Sequence, residues 1–436
     1  MDKDKARLDL AFTVAQSGFY HNAIKILYEI PDGSEYEGLR NYRLAYLFER
    51  TAQYEQALIY AEKATRDPET AVKAQIIRIK TLLNAGQIDY ARQIAQACVE
   101  GEDAEELELA AIHGHLGFAN EKLGRYDEAM GHFVKGNSMT RGAVKRKGIT
   151  KGKFLASCER YRSYAEGRRV GHEFPRLNSD KDSPVFLVGF PRSGTTLLDT
   201  ALSMHSQIET LSEIPALGLA RNSIIANVGE DAFPGVLTDL DPLLIDQARE
   251  TYFKKAGEFS KLGSNLHIID KLPLSMVEIP LILALFPDAK FILALRDPRD
   301  SCLSCFKQSF VVNSAMASFL DLNSTVHLYK TVFEMLNLYR RIWPQVPFLE
   351  VRYEDVVADF KSEITRILSF LGLNWEEGIS SYHEKAKASL SIRTPSYNQV
   401  NKPVYKKKLQ HWRNYQSYMK PFESELRSFL RQFGYE

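Results

Sequence analysis

Pro184-Val185-Phe186-Leu187-Val188-Gly189-Phe190-Pro191-Arg192-Ser193-Gly194-Thr195-Thr196-Leu197-Leu198 decides the fold. An apolar run, a loop bounded by two glycines and a helical pattern make up the layout of a phosphate cradle, strand then loop then helix. Gly189 and Gly194 have the spacing of the nucleoside-triphosphate loop G-x-x-x-x-G-K-[ST], but Thr195 stands where its lysine belongs. That lysine reaches the outer phosphates during γ-phosphoryl transfer. This loop can hold a 5′-phosphate without being built for that reaction.

The run at 185–188 is the first of four short apolar runs, followed by 266–269, 291–295 and 348–351, with longer helical stretches between them. The alternation predicts a parallel α/β sheet, whose ligands sit beyond the carboxyl ends of the strands. Polar residues follow each run: Arg192-Ser193-Gly194-Thr195-Thr196, then Asp270-Lys271, then Arg296-Asp297-Pro298-Arg299, then Arg352-Tyr353-Glu354-Asp355. A parallel sheet would collect all four sets at one edge.

Upstream, the chain repeats itself. Gly18-Phe19-Tyr20-His21-Asn22-Ala23, Ala52-Gln53-Tyr54-Glu55-Gln56-Ala57, Gly86-Gln87-Ile88-Asp89-Tyr90-Ala91 and Gly124-Arg125-Tyr126-Asp127-Glu128-Ala129 each separate two helix-like segments. Their period, roughly 34–38 residues, and the G-x-Y-x-x-A core resemble tetratricopeptide repeats over residues 8–141. The small residue lets the first helix turn, and the alanine packs where the paired helices come closest. Such arrays stack into a superhelix whose concave face takes an extended peptide or a partner protein; the array could equally be an arm for homodimerisation. The expected organisation is an all-α repeat domain (1–141), a helical connector (142–182) with a basic, solvated run, and a P-loop-like α/β domain with a central parallel sheet (183–436).

Composition bounds the rest. The 436 residues are 44% hydrophobic and 25% charged, as expected of a globular chain with ample core. Lysine plus arginine number 56 against 55 acidic residues, a net charge of +1 that gives no nucleic-acid coat or polybasic membrane association. Cys98, Cys158, Cys302 and Cys305 are too scattered for a disulfide framework, and Cys302-x-x-Cys305 reads as two thiols on one helical face rather than a redox or zinc motif. The charged amino terminus lacks a signal peptide's apolar core and no run is long enough for a membrane span, so a cytoplasmic protein is expected.

The α/β part resembles the sulfotransferase family over residues 184–415. Pro191-Arg192-Ser193-Gly194-Thr195-Thr196 is similar to its 5′-phosphosulfate loop, and Leu295-Arg296-Asp297-Pro298-Arg299 through Ser304 to its 3′-phosphate motif. The loop arginine and the later Ser212-Glu213-Ile214-Pro215 bring it nearest to the tyrosylprotein sulfotransferases. Repeat–sulfotransferase fusions of this kind are a recognised bacterial arrangement. The resemblance implies 3′-phosphoadenylyl sulfate (PAPS) as donor and no metal, because a terminal sulfate carries less charge than a γ-phosphate. It further implies that backbone N–H groups of Ser193, Gly194, Thr195 and Thr196 hold the 5′-phosphosulfate. Arg192 and Lys271 would stabilise the leaving group, Arg296 and Ser304 bind the 3′-phosphate, and Tyr353 lie near the adenine. Ser396 would touch the phosphosulfate, and Lys402 belong to a late loop over the nucleotide.

Glu213 falls where the tyrosylprotein branch keeps its catalytic glutamate, and a carboxylate there can take the acceptor's proton. The alternative is that Glu213 merely caps a helix before Pro215. His205 is a rival base better suited to a structural place at a helix end, and His267 lies inside a strand. Arg299 either joins the 3′-phosphate site or pairs with an acidic neighbour. Two positions depart from the branch: Gln308, beside Lys307, replaces a second arginine, and His411 before Trp412 replaces a lysine. Lys406, Lys407, Lys408 and Arg413 are candidates to restore that charge. The alternatives to a sulfotransferase are a P-loop kinase or NTPase, against which Thr195 argues, and a repeat adaptor with a degenerate nucleotide domain. A peptide or protein acceptor fits the array, and a saccharide or lipid-linked hydroxyl remains open.

Overall fold

A computed structural model describes residues 2–101, 103–174, 183–260, 266–383 and 409–436. They fall into two compact units. Ser396, Lys402 and Lys406–Lys408 lie outside the described residues.

The described residues of the first unit include four helical hairpins: α1 (Lys3–Gln16) with α2 (Tyr20–Tyr28), α3 (Glu37–Arg50) with α4 (Tyr54–Ala64), α5 (Ala71–Asn84) with α6 (Ile88–Glu100), and α7 (Glu106–Lys122) with α8 (Tyr126–Arg146). Each of the four repeated cores forms the turn of one hairpin. Gly18, Gly86 and Gly124 have φ of 89°, 84° and 77°, and Ala52 takes the same left-handed conformation at 56°. A Cβ there costs about 1 kcal/mol relative to glycine. Each turn closes on a carbonyl of the preceding helix, as in Phe19 N–H to Val14 O (3.1 Å) and Gln53 N–H to Phe48 O (2.9 Å), the bond that satisfies a helix's last acceptors. Ala23, Ala57, Ala91 and Ala129 are all wholly buried.

Phe306–Asp321, expected within the α/β domain, packs with this helical unit. Asn137 Nδ2 donates to the Phe306 carbonyl (2.7 Å), Lys307 pairs with Glu121, and Arg141 lies 3.8 Å from Asp321. Lys307 is thus committed to a carboxylate of α7. The expected boundary at residue 141 falls inside α8, which runs on to Arg146.

The second unit opens with α9 (Gly152–Glu166) and continues as β1 (Val185–Gly189), α10 (Thr195–Leu202), β2 (Ile208–Ser212), α11 (Ala216–Val228), α12 (Pro242–Gly257), β3 (His267–Lys271), α13 (Ile279–Leu285), β4 (Lys290–Leu295), α14 (Pro298–Lys307), α15 (Leu322–Ile342), β5 (Phe348–Arg352), α16 (Tyr353–Ala358), α17 (Phe360–Leu371) and α18 (Glu423–Gln432). All described strands are parallel, in the order β2-β3-β1-β4-β5. β1 is central because its five residues are all buried, the mark of a strand covered on both faces. The chain leaves β1 toward β2 and β3 on one side and takes up β4 and β5 on the other, so the loop after β1 lies at the topological switch point.

β2 did not declare itself in the sequence. It is an edge strand in which only Ile208 and Leu211 are buried. Asp270 and Lys271, expected beyond the second apolar run, lie inside β3, whose parallel register sets Lys271 opposite Ser212 on one side and Leu187 on the other. The apolar α13 is wholly buried, and no described helix is long and apolar enough to cross a membrane.

Candidate active site

The loop after β1 turns sharply through Arg192 (φ 70°) and Gly194 (φ 93°) before α10 begins at Thr195. A Cβ on Gly194 would sit 2.7 Å from Cδ2 of Tyr353, so glycine is required by both the backbone and the ring. The opening N–H groups of α10 point out of the helix rather than into it, and they carry the positive end of its dipole.

One face of α14 clamps this loop. Ser301, Ser304 and Cys305 are neighbours at helical spacing. Ser193 Oγ lies 3.3 Å from Ser301 Oγ, Arg192 Nε donates to Ser304 Oγ (3.2 Å), and the Cys305 thiol donates to the Pro191 carbonyl (3.2 Å). Burial pushes the thiols of Cys302 and Cys305 well above the usual range, so both stay protonated and Cys305 serves as a donor to the loop.

Arg296, at the end of β4, approaches the same loop. Its Nη1 donates to the Arg192 carbonyl (3.2 Å), its guanidinium lies over the Tyr353 ring at 5.0 Å, and Asp300 stands 3.5 Å from it on α14. Burial lowers the Arg192 guanidinium to about 10, and the charge of Arg296 adds to the effect. Two guanidinium residues held this close in a buried place are a site that an anion would stabilise.

The second cluster belongs to β2 and β3. Glu213 follows the last residue of β2 in the left-handed region (φ 55°), a conformation costly for a side chain with a Cβ. Its N–H donates to the Lys271 carbonyl (2.9 Å), which continues the ladder one residue past the strand. Lys271 is wholly buried, and its Nζ donates to Glu213 Oε1 at 2.9 Å. The carboxylate of Glu213 caps no helix: α11 starts without a side-chain cap.

The other candidates have other places. His205 is buried in the turn before β2, accepting from Gln207 N–H (3.0 Å) and reaching the Asn374 carbonyl (3.0 Å), a structural position. His267 opens β3, at the end of the sheet opposite Glu213. Arg299 forms a two-point pair with Asp297 (2.9 and 2.7 Å) and lies over Trp412 at 3.8 Å. Arg413 is exposed beside the same indole, 5.5 Å from its centre.

Sequence reasoning overlooked the residues beneath the site. Asp199, in the first turns of α10, is buried and accepts a hydrogen bond from Ser212 Oγ. Asp300 is buried and accepts from Trp412 N–H (2.7 Å), which ties the late chain to the Arg296 motif. Asp199 had a signal: a lone charge within the apolar helix Leu197-Leu198-Asp199-Thr200-Ala201-Leu202 is buried by its neighbours. Asp300 had none apart from tertiary contact.

Similarity to known proteins converges on one group. The sulfotransferase family profile matches residues 184–377. A protein of Aquifex aeolicus described as uncharacterized is 28% identical over 244 residues, 55% of this chain and 31% of that protein. Protein-tyrosine sulfotransferase 1 of Danio rerio is 26% identical over 248 residues, 53% of this chain and 66% of the relative. Protein-tyrosine sulfotransferase 2 of Gallus gallus is 26% identical over 247 residues, 53% of this chain and 64% of the relative. The chain thus spans less than a third of the first relative's length and just under two thirds of the other two. The solved sulfotransferase domain of the Synechococcus PCC 7002 olefin synthase aligns over 56% of this chain and 91% of that one at 21% identity, with a TM-score of 0.39, too low to carry a structural argument. Residues 184–377 of this chain form a sulfotransferase-family domain, homologous to the protein-tyrosine sulfotransferases.

Proposed function

We propose that this protein transfers a sulfuryl group from PAPS to an acceptor hydroxyl. The observation that carries the reading is the convergence of Ser304 and Arg296 on Arg192 in the loop that opens α10, a half-buried pair of guanidinium residues beside helix N–H groups. Such a set fits the 5′-phosphosulfate and the 3′-phosphate of the donor.

In the proposed reaction Glu213 takes the acceptor's proton as the acceptor oxygen bonds to sulfur. The bond from sulfur to the bridging oxygen breaks, and Arg192 and Lys271 stabilise the charge that grows on the 5′-phosphate. The products are a sulfate ester and 3′-phosphoadenosine 5′-phosphate. Glu213 is half exposed while Lys271 is wholly buried, so the carboxylate can meet an acceptor from outside as the ammonium serves the donor from inside. Ser396 and Lys402 would complete the donor site. We assign the acceptor to the tyrosyl hydroxyl class on the homology of the domain, and the helical array to tetratricopeptide repeats that dock a peptide. A cytoplasmic location suits the four free thiols.

Calorimetry with 3′-phosphoadenosine 5′-phosphate tests the donor site. Magnesium-independent binding that falls at least tenfold in Arg296→Ala is expected, while ATP binds more weakly with or without magnesium. Glu213→Gln should keep that binding within about threefold and lose at least a hundredfold in turnover. A preference for magnesium-ATP would instead assign a kinase or NTPase, and full turnover in Glu213→Gln would remove the base.

A further inference from the structure

We propose that Tyr435 is a positioning residue for the donor's 3′-phosphate site, acting through Glu354 on the backbone that carries Arg296. The inference rests on the reading of Arg296 as a ligand of that phosphate. Leu295 and Arg352 form the last rung of the β4–β5 pairing, so Arg296 and Tyr353 are the first residues past the ladder on each strand. Their side chains meet, the guanidinium lying 5.0 Å from the ring centre. One residue further on, Glu354 Oε1 accepts from Asp297 N–H (3.1 Å), a bond that ties the two strand ends together where the ladder has stopped. Arg296 and Tyr353 are thus bracketed between the ladder and this bond.

The other oxygen of Glu354 is held by Tyr435, whose hydroxyl donates to Oε2 (2.8 Å). Tyr435 reaches it because the chain leaves α18 through Gly434 in the left-handed region (φ 72°), where the N–H groups of Gly434 and Tyr435 close on the carbonyls of Arg431 (3.2 Å) and Leu430 (2.7 Å). Arg352 fastens this turn to the end of β5, donating to the Gly434 carbonyl (3.1 Å) with its guanidinium 4.4 Å from the Tyr435 ring centre. Burial pushes the Tyr435 phenol well up, and the charge of Glu354 adds to the effect, so the hydroxyl stays a donor. Burial also raises the Glu354 carboxyl, and the bonds from Asp297 and Tyr435 counter it. Without the hydroxyl, Glu354 keeps only the Asp297 bond of these two and can turn away from it. Arg296 then loses one end of its bracket. A guanidinium uses its fork on a phosphate only in a fixed direction, so the placement of this backbone sets the affinity.

Tyr435→Phe keeps the ring over Arg352 and removes only the hydroxyl. In calorimetry on the full chain it should weaken binding of 3′-phosphoadenosine 5′-phosphate about fivefold or more and leave that of adenosine 5′-phosphate, which lacks the 3′-phosphate, within about twofold. Glu354→Ala should show the same selectivity, and adding Tyr435→Phe to it should cost less than about twofold more, because Tyr435 acts through Glu354. Equal losses for the two nucleotides, additive losses in the double variant, or unchanged affinity in folded Tyr435→Phe would overturn the proposal. Hydrogen exchange without nucleotide gives a readout that needs no donor: the Asp297 N–H should exchange about threefold faster or more in Tyr435→Phe. Unchanged exchange there would overturn the proposal as well. Faster exchange in the variant of a protein whose wild type binds no 3′-phosphoadenosine 5′-phosphate would sink the donor reading and leave the hold of Tyr435 on the Arg296 backbone standing.

Discussion

Single residues in this site are held in states that water would not allow, and Asp270 shows it most directly. Burial raises its carboxyl from 3.8 to about 7, more than its bond from Tyr252 and the charge of Lys271 can offset. Between roughly pH 4 and 7 the folded chain therefore keeps a proton that the unfolded chain has released, so this residue's contribution to stability falls as pH rises through that window. Asp270→Asn removes the titration. Urea midpoints at pH 5 and 7.5 should differ more in the wild type than in Asp270→Asn, and equal differences would show that Asp270 titrates normally. Glu213 is the converse case, a side chain held in a left-handed backbone. Its place at the position of the branch's glutamate was legible from the resemblance, but its pairing with Lys271 was not, because the pairing depends on a register between strands separated by more than fifty residues.

At the scale of elements, the loop and α10 work as one piece against α14. Gly194→Ala would place a Cβ 2.7 Å from Tyr353 and in a backbone conformation of φ 93°. The expected result is a loss of at least tenfold in affinity for 3′-phosphoadenosine 5′-phosphate with a stability cost of about 1–3 kcal/mol, read by calorimetry and thermal melting. Unchanged affinity would separate this loop from the donor site. Among the described strands, four of five were readable as apolar runs. β2 was not, since this edge strand buries only two of its five residues, one on each face, and so shows no apolar run. The four helical hairpins were readable for the opposite reason: each needs one left-handed turn residue and one wholly buried alanine, and both needs leave a mark in the sequence.

At the scale of the whole molecule, the chain does not divide at one point. Phe306–Asp321 interrupts the α/β unit in sequence and packs with the helical one, where Phe306, Phe319 and Leu320 are buried. A fragment of residues 151–436 would leave that segment without Glu121, Asn137 and Arg141. It should associate on size exclusion or melt well below the full chain, and a monomeric fragment with the full melting temperature would contradict this. The sequence by itself determined what is local or periodic: the glycine-bounded loop, the hairpin turns, the alternation of strand and helix, and the missing triphosphate lysine. Tertiary structure alone decided that Lys271 meets Glu213, that Ser212 bonds Asp199, and that Lys307 is paired with Glu121. Those partners lie between 13 and 186 residues apart, and only strand register and helix packing bring polar and charged side chains together at such separations.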